Sequence, residues 1–274
     1  MKRIIFLFII SIASSINLFA QDGYFQQGEF GFSLGMGHYF GDLNTRSGLN
    51  RPKPAVGLFF RKQFSNYVAM RVSGHYTQLG YSDKYSKNDY QRFRNLSFNS
   101  NIYEFTVQGD FNFFKYIPGD INYGFTPYVT LGLGLFSYDP YTYYDGNKYY
   151  LRSYETEGVA YGTMAVCIPL GVGFKYSLNK KTNLSFEISH RFTTTDYIDD
   201  VSTQYLGWDA FPLGPTGTPS IAALLQDRSY EIDPNNVLGI KGRQRGWSKQ
   251  KDQYVIAEIG ISFNLGSYKC PTAF

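Results

Sequence analysis

The sequence predicts an all-β fold: an eight-stranded antiparallel transmembrane β-barrel with short periplasmic turns and long extracellular loops. Three observations support this prediction. The chain starts with an export signal, eight segments alternate apolar and polar residues, and the connections between these segments alternate between short and long. A strand that faces lipid on one side and a polar lumen on the other has this period of two.

Residues 1–20 have the features of a secretory signal peptide. Lys2 and Arg3 precede the apolar run Ile4–Ile12, and Ala20 provides a small residue before the cut that we expect at Gln21. The run is too short for a membrane-spanning helix, and no later stretch reaches about 18 uninterrupted apolar residues. We therefore expect residues 21–274 to form a single barrel domain in a Gram-negative outer membrane, with both termini in the periplasm.

The composition fits a barrel and argues against a nucleic-acid-binding protein. Aromatic residues make up 19% of the chain and charged residues 18%, whereas a typical soluble domain has about 25% charged residues. Tyr and Phe are abundant, as expected for the aromatic girdles of an outer-membrane barrel. The net charge is only +4, so no affinity for nucleic acid is expected.

Eight segments carry the strand pattern, and each reaches the roughly 9–11 residues that a tilted strand needs to cross a bilayer. The predicted strands are Glu29–Phe40, Ala55–Phe64, Tyr67–Gly80, a segment around Tyr103–Phe113, Phe125–Tyr138, Val166–Leu178, Thr182–Thr195 and Gln253–Leu265. The longest connection, about residues 196–252, is predicted to be an extracellular loop with one short helix around Ser220–Gln226.

A soluble lipocalin-type barrel is the structural alternative, and it would turn its apolar face inward around a ligand. The apolar face of the predicted strands carries bulky residues almost without interruption, while the polar face carries Gly, Ser, Thr and charges. Small and polar residues fit the narrow interior of eight strands, so the membrane barrel is favoured.

The polar face also collects balanced charges, which predict an ion-paired plug that fills the lumen. An eight-stranded barrel leaves room only for side chains, and buried charges need partners. This crowding argues against the alternative of an open pore. The predicted plug residues are Arg61, Arg71, Glu104, Asp110, Lys175, Glu187, Arg191 and Glu258.

No catalytic, cofactor-binding or metal site is predicted, and we expect neither an enzyme nor a small-molecule substrate. His190 beside Ser189 raises the hypothesis of a lipid A-modifying enzyme. Neighbours in a strand point to opposite faces, so this pair cannot form a dyad.

An acidic cluster, Asp196, Asp199 and Asp200, follows the seventh predicted strand. It is a weak start for a calcium site, which takes at least about six oxygens. Loop capping, or pairing with Arg191, is the expected role.

A basic run precedes the last strand and contains Trp247. On the outer leaflet it would meet lipid phosphates with the Trp at the interface, and a solvated loop is the equal alternative. Its members are Lys241, Arg243, Arg245, Lys249 and Lys251.

The two cysteines, Cys167 and Cys270, are predicted to lie at opposite ends of the barrel. The apolar band of such a barrel is about 25 Å tall, which is too far for a disulfide. We therefore expect two free thiols, with a bridge from Cys270 to a periplasmic partner as the alternative.

Five segments of the chain carry recognisable motifs. They are Tyr39-Phe40-Gly41-Asp42-Leu43-Asn44, the run from Pro127 to Gly134, Tyr154-Glu155-Thr156-Glu157-Gly158, the run from Arg191 to Val201, and the run from Arg245 to Tyr254. Together these segments resemble the PorG family, whose members are outer-membrane barrel components of the type IX secretion system of Bacteroidetes. The resemblance implies a non-enzymatic accessory barrel without cofactors, associated with a periplasmic ring made by a lipoprotein and its partner protein.

If that role applies, docking would use the periplasmic turns and the tail. The candidate partner-binding residues are Ser65, Asn66, Lys115, Pro118, Asp120, Lys180, Lys181 and Cys270. The other expected contact is the lipid and lipopolysaccharide of the membrane. The alternative function is an OmpA-like barrel whose long outer loop binds a ligand or a protein at the cell surface.

Overall fold

A closed antiparallel barrel of eight strands forms the body of the molecule. The computed structural model describes residues 28–45, 49, 51–214 and 217–265. The predicted signal peptide at residues 1–20 and the predicted C-terminal docking tail with Cys270 lie outside these residues. The barrel strands are β1 (Glu29–Phe40), β2 (Lys53–Gln63), β3 (Val68–Ser82), β4 (Ser97–Asn112), β5 (Phe125–Ser137), β8 (Met164–Ser177), β9 (Thr182–Thr193) and β10 (Gln253–Asn264).

Each barrel strand pairs with the next, and β10 closes the barrel on β1. The closing register runs from Glu29 opposite Asn264 to Phe40 opposite Gln253. The strands β3 and β4 pair from Val68 opposite Phe111 up to Ser82 opposite Ser97 and therefore extend beyond their neighbours. Closure removes the unpaired strand edges that an open sheet would expose. This arrangement confirms the predicted fold class.

The bulky residues of the apolar parity point outward, which excludes the lipocalin arrangement. Water-soluble monomers rarely expose contiguous apolar patches of more than a few hundred Å², whereas outer-membrane barrels carry an apolar belt between aromatic girdles. Exposed side chains of this belt include Phe32, Leu34, Leu58, Phe105, Leu131, Leu133, Leu170, Val172, Ile188 and Ile259.

The connections at the two ends of the barrel differ in length. We call one end the hairpin end, where residues 64–67, 113–124 and 178–181 join the strands. The other is the loop end, where residues 41–52, 83–96, 138–163 and 194–252 connect the strands. The alternation predicted from the sequence is only partial, because 113–124 at the hairpin end is as long as 41–52 at the loop end.

The loop-end connections contain more regular structure than the sequence predicted. The helix α1 (Asp89–Arg94) and the hairpin of β6 (Tyr141–Tyr144) and β7 (Asn147–Tyr150) were missed, whereas α2 (Ile221–Gln226) matches the expected helix. Asp145 and Gly146 turn this hairpin with φ of 48° and 74°, as a two-residue type I′ turn requires. Short 3₁₀ turns occupy Asp83–Tyr85, Leu151–Tyr154, Trp208–Ala210 and Ser229–Glu231.

No helix in the described part of the chain is long and apolar enough to cross a membrane.

The apolar core lies at the loop end rather than in the middle of the barrel. We call the described parts of the loop-end connections the cap. Residues of the cap pack onto inward-facing residues at the upper ends of the strands. The core includes Tyr39, Leu79, Phe98, Ile102, Phe136, Tyr254 and Ile256 from the strands and Leu43, Ile198, Val201 and Leu225 from the cap.

Candidate functional site: the lumen plug, the cap and the hairpin end

The half of the lumen nearer the hairpin end is organised around Asp110. One of its carboxylate oxygens lies 2.8 Å from Arg61 Nε and 2.9 Å from Lys175 Nζ, and the other lies 4.0 Å from Arg71. Arg61 also pairs with Glu29 at 2.6 Å. One carboxylate therefore faces three buried cations, and Glu29 supplies further negative charge.

The half of the lumen nearer the loop end is organised around Glu104. Arg191 donates to both of its oxygens, each at 3.2 Å, and the hydroxyl of Tyr254 donates to Oε2 at 2.5 Å. The ring of His75 lies between Glu104 and Glu258, with each ring nitrogen 3.3 Å from one carboxylate. Two carboxylates at this distance favour the charged imidazolium, so His75 counts as a cation of this network.

Ser189 joins the two halves, because its hydroxyl donates to Glu187 at 2.9 Å and accepts from Arg191 at 2.5 Å. Glu187 in turn pairs with Arg71 at 2.6 Å and accepts from Tyr128 at 2.6 Å. The structure thus brings all eight predicted plug residues into one buried network. It adds two that the predicted plug left out, Glu29 and His75, although the inward parity of β3 already places His75 in the lumen. Glu29 shares the inward parity of β1, so a stricter extension of that parity would have found it.

With these additions, the described part of the lumen holds five cations and five carboxylates, all 6% exposed or less. Every member of the network has an opposite charge within 4.0 Å. These paired charges occupy the described part of the lumen, and their side chains make no nucleophile–base pair. Ser189 points into the lumen and donates to Glu187, whereas His190 contacts Gln253, so these two neighbours do not form a dyad.

Two buried arginines hold the cap together. Arg94 makes a two-pronged contact with Asp83 at 2.7 and 2.8 Å and donates to the carbonyl of Arg245. Arg245 pairs with Glu157 at 2.9 Å and lies 3.5 Å from Asp200. These contacts join all of the loop-end connections except 41–52, and Arg94 reaches that one by donating to the carbonyl of Asp42.

The predicted basic run is therefore not one surface. Arg245 is buried in the cap, which corrects the expectation that this side chain meets lipid phosphates or solvent. Trp247 is half exposed, and its backbone N–H donates to Asp42. The remaining members, Lys241, Arg243, Lys249 and Lys251, are exposed.

A cluster of buried carboxyl groups lies in the cap directly above the barrel. Asp199 and Asp252 both approach the hydroxyl of Tyr39, at 2.5 and 2.9 Å. A hydroxyl donates only one hydrogen, so the second contact requires a proton on one of the two carboxyl groups. Gly41 makes this approach possible, since a Cβ there would overlap Tyr39 and Asp252.

Burial is the first cause that raises the pKa of these groups. It lifts the pKa of Asp199 well above its usual range, and the neighbouring Asp252 adds to the shift. The pKa of Asp252 is raised in the same way, with Asp196 and Asp42 as the neighbours. Burial also raises the pKa of Asp42 and of Asp200 to about 6.

The acidic cluster does not pair with Arg191, because that side chain is occupied by Glu104 in the lumen. That part of the expectation was wrong. The carboxylates cap the loop instead: Asp199 accepts from the N–H of Val201 at 2.9 Å, and Asp196 accepts from Ser202 at 2.6 Å. No group of three or more potential ligands among the described residues could hold a metal ion.

The hairpin end carries the candidate docking residues on three neighbouring turns. Ser65 and Asn66 form one tip, where Ser65 Oγ accepts from the N–H groups of Tyr67 and Val68. Lys180 and Lys181 are exposed on the last turn. Cys270 lies outside the described residues, and Cys167 is a buried free thiol.

The middle turn differs from the expectation in detail. Lys115 lies 4.7 Å above the ring of Tyr123, and Asp120 caps the N–H of Asn122. Pro118 is buried and offers no exposed surface to a partner. Ile121, which the sequence reasoning did not single out, is fully exposed at the tip of this turn.

Comparison with known proteins gives a family but no characterised relative. The model of DUF6089, a domain of unknown function, matches residues 2–214. The chain belongs to the DUF6089 family. No curated protein matches it.

Among solved structures, this family member is similar to small outer-membrane barrels. The Neisserial surface protein A is 8% identical with a TM-score of 0.44, and the match covers 87% of this chain and 97% of that one. Ail of Yersinia pestis, solved with the heparin analogue sucrose octasulfate, is 11% identical with a TM-score of 0.40, covering 87% and 99%. OprG of Pseudomonas aeruginosa is 11% identical with a TM-score of 0.38, covering 89% and 99%.

Proposed function

We propose that this protein is a non-enzymatic outer-membrane component that docks periplasmic machinery of a type IX secretion system to the membrane. The observation that carries the proposal is the filled lumen inside an apolar belt. A lumen whose described part is occupied by paired charged side chains leaves little room for conduction. This favours a function at the two ends of the barrel.

The hairpin end supports docking through its exposed residues. Ile121 projects from the middle turn without cover from any described residue, and Lys180 and Lys181 lie on the adjacent turn. Gly119 packs directly against Lys180, so the two turns form one surface. An apolar anchor beside lysines suits a partner with an apolar pocket and an acidic rim. The resemblance to the PorG family is the reason for naming the lipoprotein ring as that partner.

Affinity purification of the tagged barrel from outer membranes tests this proposal. The ring lipoprotein and its partner should co-purify with the wild type, and deletion of the gene should impair secretion. The triple variant Ile121→Asp, Lys180→Glu and Lys181→Glu should lose the ring proteins while the barrel stays in the membrane. The control, Lys241→Glu with Lys249→Glu at the loop end, should keep them. Intact secretion after deletion, with no enrichment of ring proteins, would overturn the proposal.

A cleft in the cap favours a second candidate, a binding function at the cell surface. It has a volume of about 510 Å³ and is lined by Trp208, Ile240 and Lys241 among others. Because Trp208 is held by Asp227 and Tyr230, the wall of the cleft is pre-ordered. Removal of residues within Asp209–Asn236 would then abolish function and leave secretion unchanged, which is the opposite of the first proposal.

A further inference from the structure

A notch opens at the loop end where β2 stops short of its neighbours. The strand β2 begins at Lys53, and its last pair with β3 joins Ala55 and Thr77. The strands β3 and β4 continue together to Ser82 and Ser97. The space beside this extension has a volume of about 240 Å³. It is smaller than the roughly 300–1,000 Å³ of sites for drug-sized ligands, so a compact group suits it better.

Three cations line the notch, and no carboxylate does. Arg51 approaches from the first loop-end connection, Lys53 from the first position of β2, and Lys84 from the second loop-end connection. Within the described residues, none of the three makes an ion pair with Asp or Glu. Asp83 is the nearest acid in sequence, but it is buried and bound by Arg94. The notch is therefore a concentrated positive charge whose counter-ion the described chain does not supply.

The cations are positioned before any ligand arrives. The guanidinium of Arg51 lies 3.6 Å above the ring of Tyr85, and Lys84 Nζ lies 5.1 Å from the same ring. Tyr85 is fixed in turn by an edge contact with the buried Tyr81. The turn that carries Lys84 is closed by a hydrogen bond from the N–H of Asp83 to the carbonyl of Leu96.

We propose that this notch binds a phosphate-type anion. A guanidinium on an aromatic face next to two ammonium groups offers charge-assisted hydrogen bonds to several phosphate oxygens at once. The hydroxyl of Ser82 and the amide of Asn99 lie in the same wall and provide neutral donors.

The height of the notch indicates which phosphates it would meet. Going up the outer face of β3 and β4, the apolar Phe105 is followed by the pair Tyr76 and Tyr103, and then by Gln78 opposite Asn101. Tyrosine rings mark the interface between hydrocarbon and headgroups. The notch begins just above, at Gly80, which is the level of lipid phosphates. This placement rests on the proposed function, in which the loop end faces outward.

Such a phosphate could belong to lipid A or to a soluble phosphorylated sugar. Native mass spectrometry of the purified full chain in detergent should measure binding of lipid A, of dephosphorylated lipid A and, for the soluble source, of glucosamine 6-phosphate. The test variant is Arg51→Gln with Lys84→Gln. The control, Arg243→Gln with Lys249→Gln, removes the same charge from the same end of the barrel. Retention of the compact form on unheated gels shows that each variant is folded.

We expect lipid A to bind the wild type and the control alike, and the test variant at least about tenfold more weakly, since each charged hydrogen bond contributes about a factor of ten or more. Dephosphorylated lipid A should bind the wild type about as weakly as intact lipid A binds the test variant. Tight binding of the sugar phosphate would support the notch and assign it to a soluble ligand. Equal binding by test and control variants, or no loss on dephosphorylation, overturns the proposal. Neither result depends on secretion, so this test fails or succeeds separately from the docking proposal.

Discussion

The lumen plug and the cap both bury carboxyl groups, but they neutralise them in different ways. In the plug, each carboxylate lies within salt-bridge distance of Arg, Lys or His, and the charges of the described network balance. In the cap, Asp199 and Asp252 face each other across the hydroxyl of Tyr39. A cation neutralises the first group of carboxylates, whereas protons neutralise the second.

This difference indicates which part of the molecule responds to pH. A buried ion pair is costly to separate, because the charge that remains has no solvent. A carboxyl group that is neutral because it holds a proton loses that proton when the pH rises through its pKa. The plug should therefore act as a fixed structural element, and the cap should change its stability over the range in which its carboxyl groups titrate.

The largest effect is expected at Asp110, whose carboxylate faces Arg61, Lys175 and Arg71. Asp110→Ala leaves these cations with too little negative charge, and breaking a buried pair typically costs about 3–5 kcal/mol. The free energy of unfolding, measured by urea titration in lipid vesicles, should fall by this amount. The control Asp209→Ala, at an exposed position of the cap, should change it by less than about 0.5 kcal/mol. Equal losses in both variants would show that the plug does not stabilise the barrel.

The next largest effect is expected at Arg245, and it should be confined to the cap. Arg245→Ala leaves the buried Glu157 and Asp200 without their cation, at a cost of about 3 kcal/mol. Limited proteolysis should cut the 194–252 connection much faster than in the wild type, while the barrel keeps its compact form on unheated gels. Arg243→Ala is the matched control two residues away. Unfolding of the whole barrel would contradict the separation of the two regions.

The sequence predicted the plug well because a strand leaves little freedom. A period of two assigns every residue of a strand to one face, so eight charged members followed from parity alone. The same rule contained Glu29 and His75, whose parity matches Gly31 and Ser73. What parity does not give is the pairing, since the partners of Asp110 come from three other strands and depend on the register and on closure.

The cap was predicted poorly, because its contacts join connections that are far apart in the chain. Arg245 lies in a run of exposed basic residues and has no local sign of burial. Its partner Glu157 is 88 positions away. The acidic cluster was recognised, but its partners Tyr39 and Asp252 flank it from β1 and the start of β10. In the cap, the helix α2 and the Asp145-Gly146 turn could be predicted from their own local sequence. The helix was predicted, and the turn was overlooked.

A smaller effect is expected from pH, and its sign follows from the raised pKa values of the cap. For Asp42 and Asp200 the folded pKa of about 6 exceeds the unfolded value of about 3.9. The folded cap thus binds more protons than the unfolded one. The stabilisation is complete below about pH 4 and is lost as the pH rises through 6, by about 3 kcal/mol per group in total, of which about half is lost above pH 5. Asp199 and Asp252 extend the loss to higher pH.

Hydrogen exchange of the 194–252 connection at pH 5 and pH 8 measures this effect. Protection should decrease at pH 8 in the wild type. Asp199→Asn places an N–H₂ group against Tyr39, as a protonated acid would place an O–H. In this variant, protection from exchange should therefore fall less between pH 5 and pH 8 than in the wild type. The exposed Asp89→Asn variant should behave like the wild type. A cap that is better protected at pH 8 would reverse the assigned sign.

The smallest effect is expected at Cys167, which lies at the boundary between the two regions. Its Sγ is 3.8 Å from Glu104 of the plug, and its side chain belongs to the apolar core under the cap. On either side it is held by strand pairing, to Gly134 and to Thr193, rather than by cap contacts. In a Cys270→Ser background, maleimide should therefore leave Cys167 unlabelled, and adding Arg245→Ala should not change this. If Cys167 is labelled only after denaturation, the boundary between the cap and the plug lies above the thiol. Labelling in the native Arg245→Ala protein would mean that the cap and the plug open as one unit.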